Sequence, residues 1–346
     1  MHDMVKKETF FGVQFLRFFA ALLVVITHAT GMVAERILNL GSGQYWVPGL
    51  AGVDIFFVIS GFVMAVSTQG LLGKADAWKV FLSRRIVRVV PLYWIATSIK
   101  IAAVLAFAHY ALHARMDIPY LLSSYFFIPA LNADGEILPI LTVGWTLSFE
   151  MFFYLVFTMA LGVKVSPLRF VAVVFISLAM IGLFREKDWH PLTVLVSPII
   201  LEFLLGMIVA YLYGRFKDVP VWLSATLIIS GLILLLYPGV YYPKLRMIFW
   251  GVPAFMIVLG FVFAEKWLGA RIPKLFTELG DSSYSLYLFH PLVLPIMGVL
   301  MLKLGLTHGG LAVVLAILVS LCVGEVMYRL LERPLTNYLN ARLKAS

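Results

Sequence analysis

The chain of 346 residues is poor in charge and nearly devoid of cysteine. Asp, Glu, Lys and Arg make up 13% of it, about half of the ~25% that a soluble domain spreads over its surface. So few charges cannot cover a water-facing surface, which excludes a soluble globular enzyme. Disorder is excluded as well: it needs low hydrophobicity and high charge, and 62% of these residues are apolar. The lone cysteine, Cys322, can form no internal disulfide and no Cys-rich metal motif. Set in a late apolar segment, it reads as a small buried hydrophobe, and no metal site is expected. Also missing are a Gly-x-Gly-x-x-Gly turn, a phosphate-binding loop and a Gly-x-Ser-x-Gly elbow.

What the sequence does contain is long apolar blocks. They run for ~18–25 residues without the alternation of barrel strands, which predicts an all-α, polytopic membrane protein. Hydropathy and helix breakers delimit ten candidate spans, at 13–33, 48–69, 86–110, 141–163, 168–184, 192–213, 219–237, 245–264, 282–303 and 309–331. The first block is interrupted by Arg17 and is as long as a span, so it reads as a retained helix and not as a cleaved leader. The longest connection, 111–140, holds Pro119, Pro129 and Pro139; its apolar piece 120–128 is too short to span and is expected to lie at the interface or re-enter. No repeat or soluble segment breaks the pattern, and residues 1–346 read as one integral-membrane domain.

The formal charge is +9. In such a chain an excess of Lys and Arg marks the cytoplasmic side and does not call for nucleic acid. Lys6, Lys7, Lys74, Lys79, Arg84, Arg85, Arg215, Lys217, Arg329 and Arg342 fall in alternate loops and at the ends, whereas the intervening loops hold far fewer. This places both termini in the cytoplasm.

Ionisable residues inside spans cost several kcal/mol and need an explanation. Arg17 and His28 are eleven residues apart. At ~100° per residue they share a face, and at ~1.5 Å per residue they stand ~16 Å apart, so they can address two ends of one elongated ligand. Asp54 and Glu150 fall, like His28, in the outer half of the membrane, and the three are expected to converge on one polar cavity. A carboxylate there would orient the imidazole of a general base. His290 counts to the inner half, near Arg17 in depth, with Ser283 and Tyr287 on nearly its own face. Arg84, Arg85 and Arg88 cluster at the cytoplasmic mouth of the third span, where guanidiniums suit phosphate as well as anionic lipid. Lys100 in the outer half of its span reads as snorkelling, and Glu202 near mid-membrane has either a site role or a packing role.

At these residues the chain resembles the membrane-bound acyltransferase 3 family. The similarity runs through Arg17-x10-His28, Gly52-Val53-Asp54-Ile55-Phe56-Phe57-Val58-Ile59-Ser60-Gly61-Phe62 and Arg84-Arg85-Ile86-Val87-Arg88-Val89-Val90-Pro91-Leu92-Tyr93. It continues through Trp145-Thr146-Leu147-Ser148-Phe149-Glu150, Ser283-Tyr284-Ser285-Leu286-Tyr287-Leu288-Phe289-His290-Pro291 and Glu332-Arg333-Pro334. The stretch 164–275 carries little of the pattern. The resemblance implies transfer of an acyl group, most often acetyl, from acyl-CoA (acetyl-CoA) to a hydroxyl of an exopolysaccharide or lipopolysaccharide sugar at the bacterial inner membrane. It implies His28, with Asp54 or Glu150, as the catalytic group. Arg17, Arg84, Arg85, Arg88 and His290 would serve the donor, and a saccharide or lipid-linked saccharide would be the acceptor. A transporter or flippase for such a saccharide is the competing class, because buried charges also line substrate pathways; the paired broken helices common in transporters are not seen.

Overall fold

A computed structural model of the chain describes residues 9–41, 46–106, 115–236 and 245–345. In order, its helices are α1 Phe11–Arg36, α2 Gly52–Ser67, α3 Ala77–Ala106, α4 Ile118–Tyr125, α5 Gly144–Gly162, α6 Pro167–Gly182 and α7 Leu201–Arg215. They continue with α8 Val221–Leu236, α9 Val252–Phe263, α10 Glu265–Leu268, α11 Lys274–Asp281, α12 Ser283–Lys303, α13 Gly309–Met327 and α14 Arg333–Ala345. Among the described residues there is no strand beyond an isolated bridge between Leu131 and Ile137. The protein is an all-α, multi-pass membrane protein.

Each of the ten apolar blocks forms a helix, but not all are equally long. Among the described residues, seven helices have the length and apolarity to cross a membrane, and an eighth arises if 247–263 and 265–271, bent by 58° at their junction, count as one span. The remaining two, α6 and α8, have 16 residues each. That is ~24 Å of helix against ~30 Å of hydrocarbon, so apolar content alone overstated their reach. Residues 107–110 of the third block, and Lys6 and Lys7 of the charge pattern, lie outside the described residues.

The local sequence alone does not explain how α1 begins. Phe10, which precedes α1, offers no side-chain cap. The first two amides of α1 donate instead to a residue far along the chain: Phe11 N to Glu265 Oε1 at 2.7 Å and Gly12 N to Glu265 Oε2 at 2.9 Å. Glu265 opens α10, so the bend after α9 serves to cap α1, and its negative charge suits the positive end of the helix dipole. Helix α4 is capped locally. Asp117 accepts from Tyr120 N at 3.2 Å, and the adjoining Arg115 guanidinium holds that carboxyl below its usual range. This short helix docks on α3 through Trp94 Nε1–H, which donates to Tyr125 O at 2.9 Å. Ile118, Leu122 and Phe126 remain exposed on it.

Small residues govern helix approach here, as in other membrane bundles. Where α2 crosses α7, a Cβ on Gly61 would stand 2.0 Å from Phe203 O and one on Gly206 2.0 Å from Val58 O. The stacked rings of Phe57, Phe203 and Phe153, with centroids 4.5 and 4.7 Å apart, extend that contact to α5. Gly206→Val should therefore force α2 and α7 apart and cost at least ~1–3 kcal/mol. The measurement is thermal stability in detergent; an unchanged midpoint would show that the crossing is loose. Cys322 corrects an expectation: it is exposed on α13 and not buried. Little of that helix is buried, and the thiol lies on its open flank.

Candidate active site

Helix α1 packs against α2, α11, α12 and α13, which makes it the central rod of the site. Arg17 and His28 lie on it as the helical period requires. Toward its N-terminal end, Arg17 Nη1 donates to Gln14 Oε1 at 3.1 Å, and Gln14 Nε2 donates to Asp281 Oδ1 at 2.8 Å. Gly280 lets α11 come this close, since a Cβ there would meet Gln14 O at 2.1 Å. The charges of Arg88, Glu332, Asp281 and Glu150 surround Arg17. None of the carboxylates forms a contact ion pair with it, which leaves the guanidinium mostly uncommitted.

Two carboxylates close this polar level. Glu150 Oε1 accepts from Ser60 Oγ at 3.0 Å and from Tyr154 Oη. Glu332, on a π-helical turn between α13 and α14, accepts from Ser285 N at 3.2 Å and from Ser285 Oγ at 2.6 Å. Below them, Arg84 and Arg88 are exposed at the start of α3. Arg85 lies over the Phe81 ring, 5.8 Å from its centroid. Its Nε is buried and has no hydrogen-bond partner. An orphaned guanidinium nitrogen beside two exposed ones fits an absent anion with several oxygen acceptors.

At the other end of the line the ring of His28 meets His290. His290 Nε2 is 3.1 Å from His28 Nδ1, and the ring centroids are 5.1 Å apart. His290 is wholly buried. Its Nδ1 lies 3.1 Å from Leu286 O. This corrects the inner-half placement beside Arg17. The span edge from which its depth was counted is set by α11, which enters the bundle and starts α12 already beside Gln14.

The expected convergence of Asp54 and Glu150 on His28 is not found either. Both oxygens of Asp54 are taken by Arg246, with Nε–Oδ1 at 3.0 Å and Nη2–Oδ2 at 2.8 Å. Arg246 also donates to Leu50 O and lies over the rings of Trp145 and Trp250, at 5.6 and 4.9 Å. Asp54 and Ser60 are six residues apart on α2, hence about 240° around the helix. The first looks toward Arg246 and the second toward Glu150, so similar depth did not mean a shared cavity. Glu202, also wholly buried, sets its carboxyl near Asp54 and against Gly251, whose added Cβ would stand 2.9 Å from Oε1. Lys100 is half-buried on α3. His2, His109 and His113 lie outside the described residues.

Arg246 carries no signal in the sequence, because it sits at a span edge and counts there as one more loop charge. Glu332 was visible in the closing Glu332-Arg333-Pro334 motif, but nothing in the sequence pointed it at Ser285. The Asp54–Arg246 pair joins α2 to the turn before α9. Arg246→Met should cost about 3–5 kcal/mol, because it strands a buried carboxylate. Yield and thermal midpoint would fall together; a variant as stable as wild type would show that the pair is structurally dispensable.

A family model described as an acyltransferase domain matches residues 10–329. The chain is also 34% identical, over 308 residues, to the exopolysaccharide production protein ExoZ of Rhizobium meliloti (strain 1021), which covers 87% of this chain and 94% of that protein. No solved structure matches it. The match of the family model includes the Arg17 to His28 line, the basic start of α3 and the His290 helix alike, and on these grounds the chain belongs to the membrane-bound acyltransferase 3 family and is an acyltransferase.

Proposed function

We propose that the protein transfers an acyl group, acetyl in the simplest case, from cytoplasmic acyl-CoA to a hydroxyl of an exported saccharide at the bacterial inner membrane. The observation that carries this reading is a row of polar groups leading from α3 to α1, in which the buried Nε of Arg85 has no hydrogen-bond partner. It begins at Arg84, Arg85 and Arg88, passes Arg17 and ends at the imidazole of His28. Guanidiniums with no carboxylate partner suit the phosphates of the donor. The ~16 Å from Arg17 to His28 suits its extended arm. His28 takes the proton of the acceptor hydroxyl as the oxygen attacks the thioester carbonyl carbon. The C–S bond then breaks, and His28 returns the proton to the departing thiolate, which yields an ester and a free thiol with the imidazole neutral again. An exopolysaccharide acceptor accords with the name of the relative from Rhizobium meliloti, and a lipid-linked precursor would reach such a site from the bilayer.

The test is transfer of label from radiolabelled acetyl-CoA to lipid-linked saccharide by the purified protein in nanodiscs. Label on the saccharide, lost in His28→Ala, is the expected result. If labelled saccharide forms equally in empty nanodiscs, or not at all with any saccharide hydroxyl, the reading fails. In sealed vesicles with acyl-CoA on the cytoplasmic side, acceptor supplied at the opposite face should become acylated. Reaction confined to cytoplasmic acceptor would overturn the through-membrane arrangement.

A further inference from the structure

The contact between His28 and His290 leaves little choice of where its protons are. A carbonyl oxygen only accepts, so the Leu286 O that lies 3.1 Å from His290 Nδ1 requires a hydrogen on that nitrogen. The neighbouring Tyr287 carbonyl also turns toward this ring. It is released from the helix ladder because Pro291, four residues on, has no N–H to give it. With Nδ1 protonated, a neutral His290 presents a lone pair at Nε2. His28 Nδ1, 3.1 Å away, must then be the donor. A second proton on His290 would bury a cation with no carboxylate hydrogen-bonded to it. The Val24 carbonyl, four residues earlier on α1, also accepts a hydrogen bond from the His28 ring, as the Leu286 carbonyl does from His290.

We infer that His290 is a positioning residue that locks His28 in its Nδ1–H tautomer, so that Nε2 alone faces the substrates as the base. The inference rests on the acyl-transfer reading for its kinetics but not for its geometry. It also assigns the second histidine a task different from holding the donor. A carboxylate usually orients a catalytic imidazole; here a neutral ring does so, which spares the interior a further negative charge. Once His28 has taken the acceptor proton, its Nδ1–H bond to His290 becomes charge-assisted. The contact thus strengthens as the reaction proceeds and favours the transition state over the ground state.

Three measurements test this. His290→Phe keeps a ring of similar size but removes the acceptor, and kcat should fall roughly a hundredfold or more, with KM for acyl-CoA unchanged. His290→Gln restores the acceptor through its amide oxygen and can still donate to the Leu286 carbonyl; its kcat should recover to within about tenfold of wild type. A Phe variant with wild-type kcat overturns the inference, as does a Gln variant as impaired as Phe at unchanged KM, since His290 would then itself carry out chemistry. The third readout needs no variant to fold. In 15N spectra of histidine-labelled wild-type protein in nanodiscs, His28 should show the Nδ1–H form at neutral pH; a proton on Nε2 instead would overturn the proposal. If the wild type proves to transfer no acyl group, the kinetic arms fall with that reading, while the 15N spectrum still decides the tautomer.

Discussion

His28→Ala is expected to abolish acyl transfer while leaving acyl-CoA bound nearly as tightly as in the wild type. Removal of a general base costs ~10²–10⁴ in rate, and no second group stands where Nε2 of His28 stands. The nearest imidazole, His290, uses Nδ1 on the Leu286 carbonyl and has its other nitrogen against His28 itself. The variant would leave His290 Nε2 as a buried acceptor without its donor, a penalty of about 1–3 kcal/mol. Some loss of thermal stability should therefore accompany the loss of activity. Donor affinity should persist, because the arginines proposed to hold the donor begin at the far end of α1's polar line. Arg17→Ala gives the contrasting result: it removes a guanidinium from the middle of that line and should weaken binding and turnover together. Titration calorimetry with acyl-CoA and label transfer on the same preparations separate the two cases. Wild-type turnover by His28→Ala would remove it from the chemistry, and unchanged affinity in Arg17→Ala would remove Arg17 from the donor site.

The contrast between these variants reflects which relations a sequence can carry. Arg17 and His28 share one helix, so their common face and their spacing followed from the helical repeat alone. The basic run at Arg84, Arg85 and Arg88 was legible for the same reason, as were the apolar blocks that become helices. Relations between helices were not legible. Counting from span edges gave Asp54, Glu150 and His28 similar depths, yet depth says nothing about direction around each helix axis, and Asp54 turns to Arg246. His290 shows the second way that such counting fails. Its helix starts at a level set by the packing of Gly280 on Gln14 and not by the start of its own apolar block. The helix crossings that settle these directions depend on single glycines such as Gly61 and Gly206, and hydropathy hardly registers them.

Replacing Arg84, Arg85 and Arg88 together by Gln should lower affinity for coenzyme A by at least about a hundredfold. Each charge-assisted phosphate contact is worth ~1.5–3 kcal/mol and each ~1.4 kcal/mol is a factor of ten, so the loss of even two contacts would account for that drop. Gln keeps much of the length of the side chain and its packing over Phe81 while it removes the charge. With both termini in the cytoplasm, as proposed, the same arginines would sit where a helix end meets anionic lipid, and loss of lipid contacts would also weaken binding, though indirectly. The two causes differ in what they do to a donor without phosphates. If the arginines read phosphate, a dephosphorylated pantetheine thioester should bind the triple variant and the wild type within about threefold of each other, because it never used those contacts. If they only anchor the helix, both ligands should lose affinity alike. Arg342→Gln, which removes an exposed charge from α14, is the control for overall charge and should leave both affinities unchanged. An equal loss for coenzyme A and for the thioester would place the phosphates elsewhere and leave the buried, unpartnered Nε of Arg85 without an explanation.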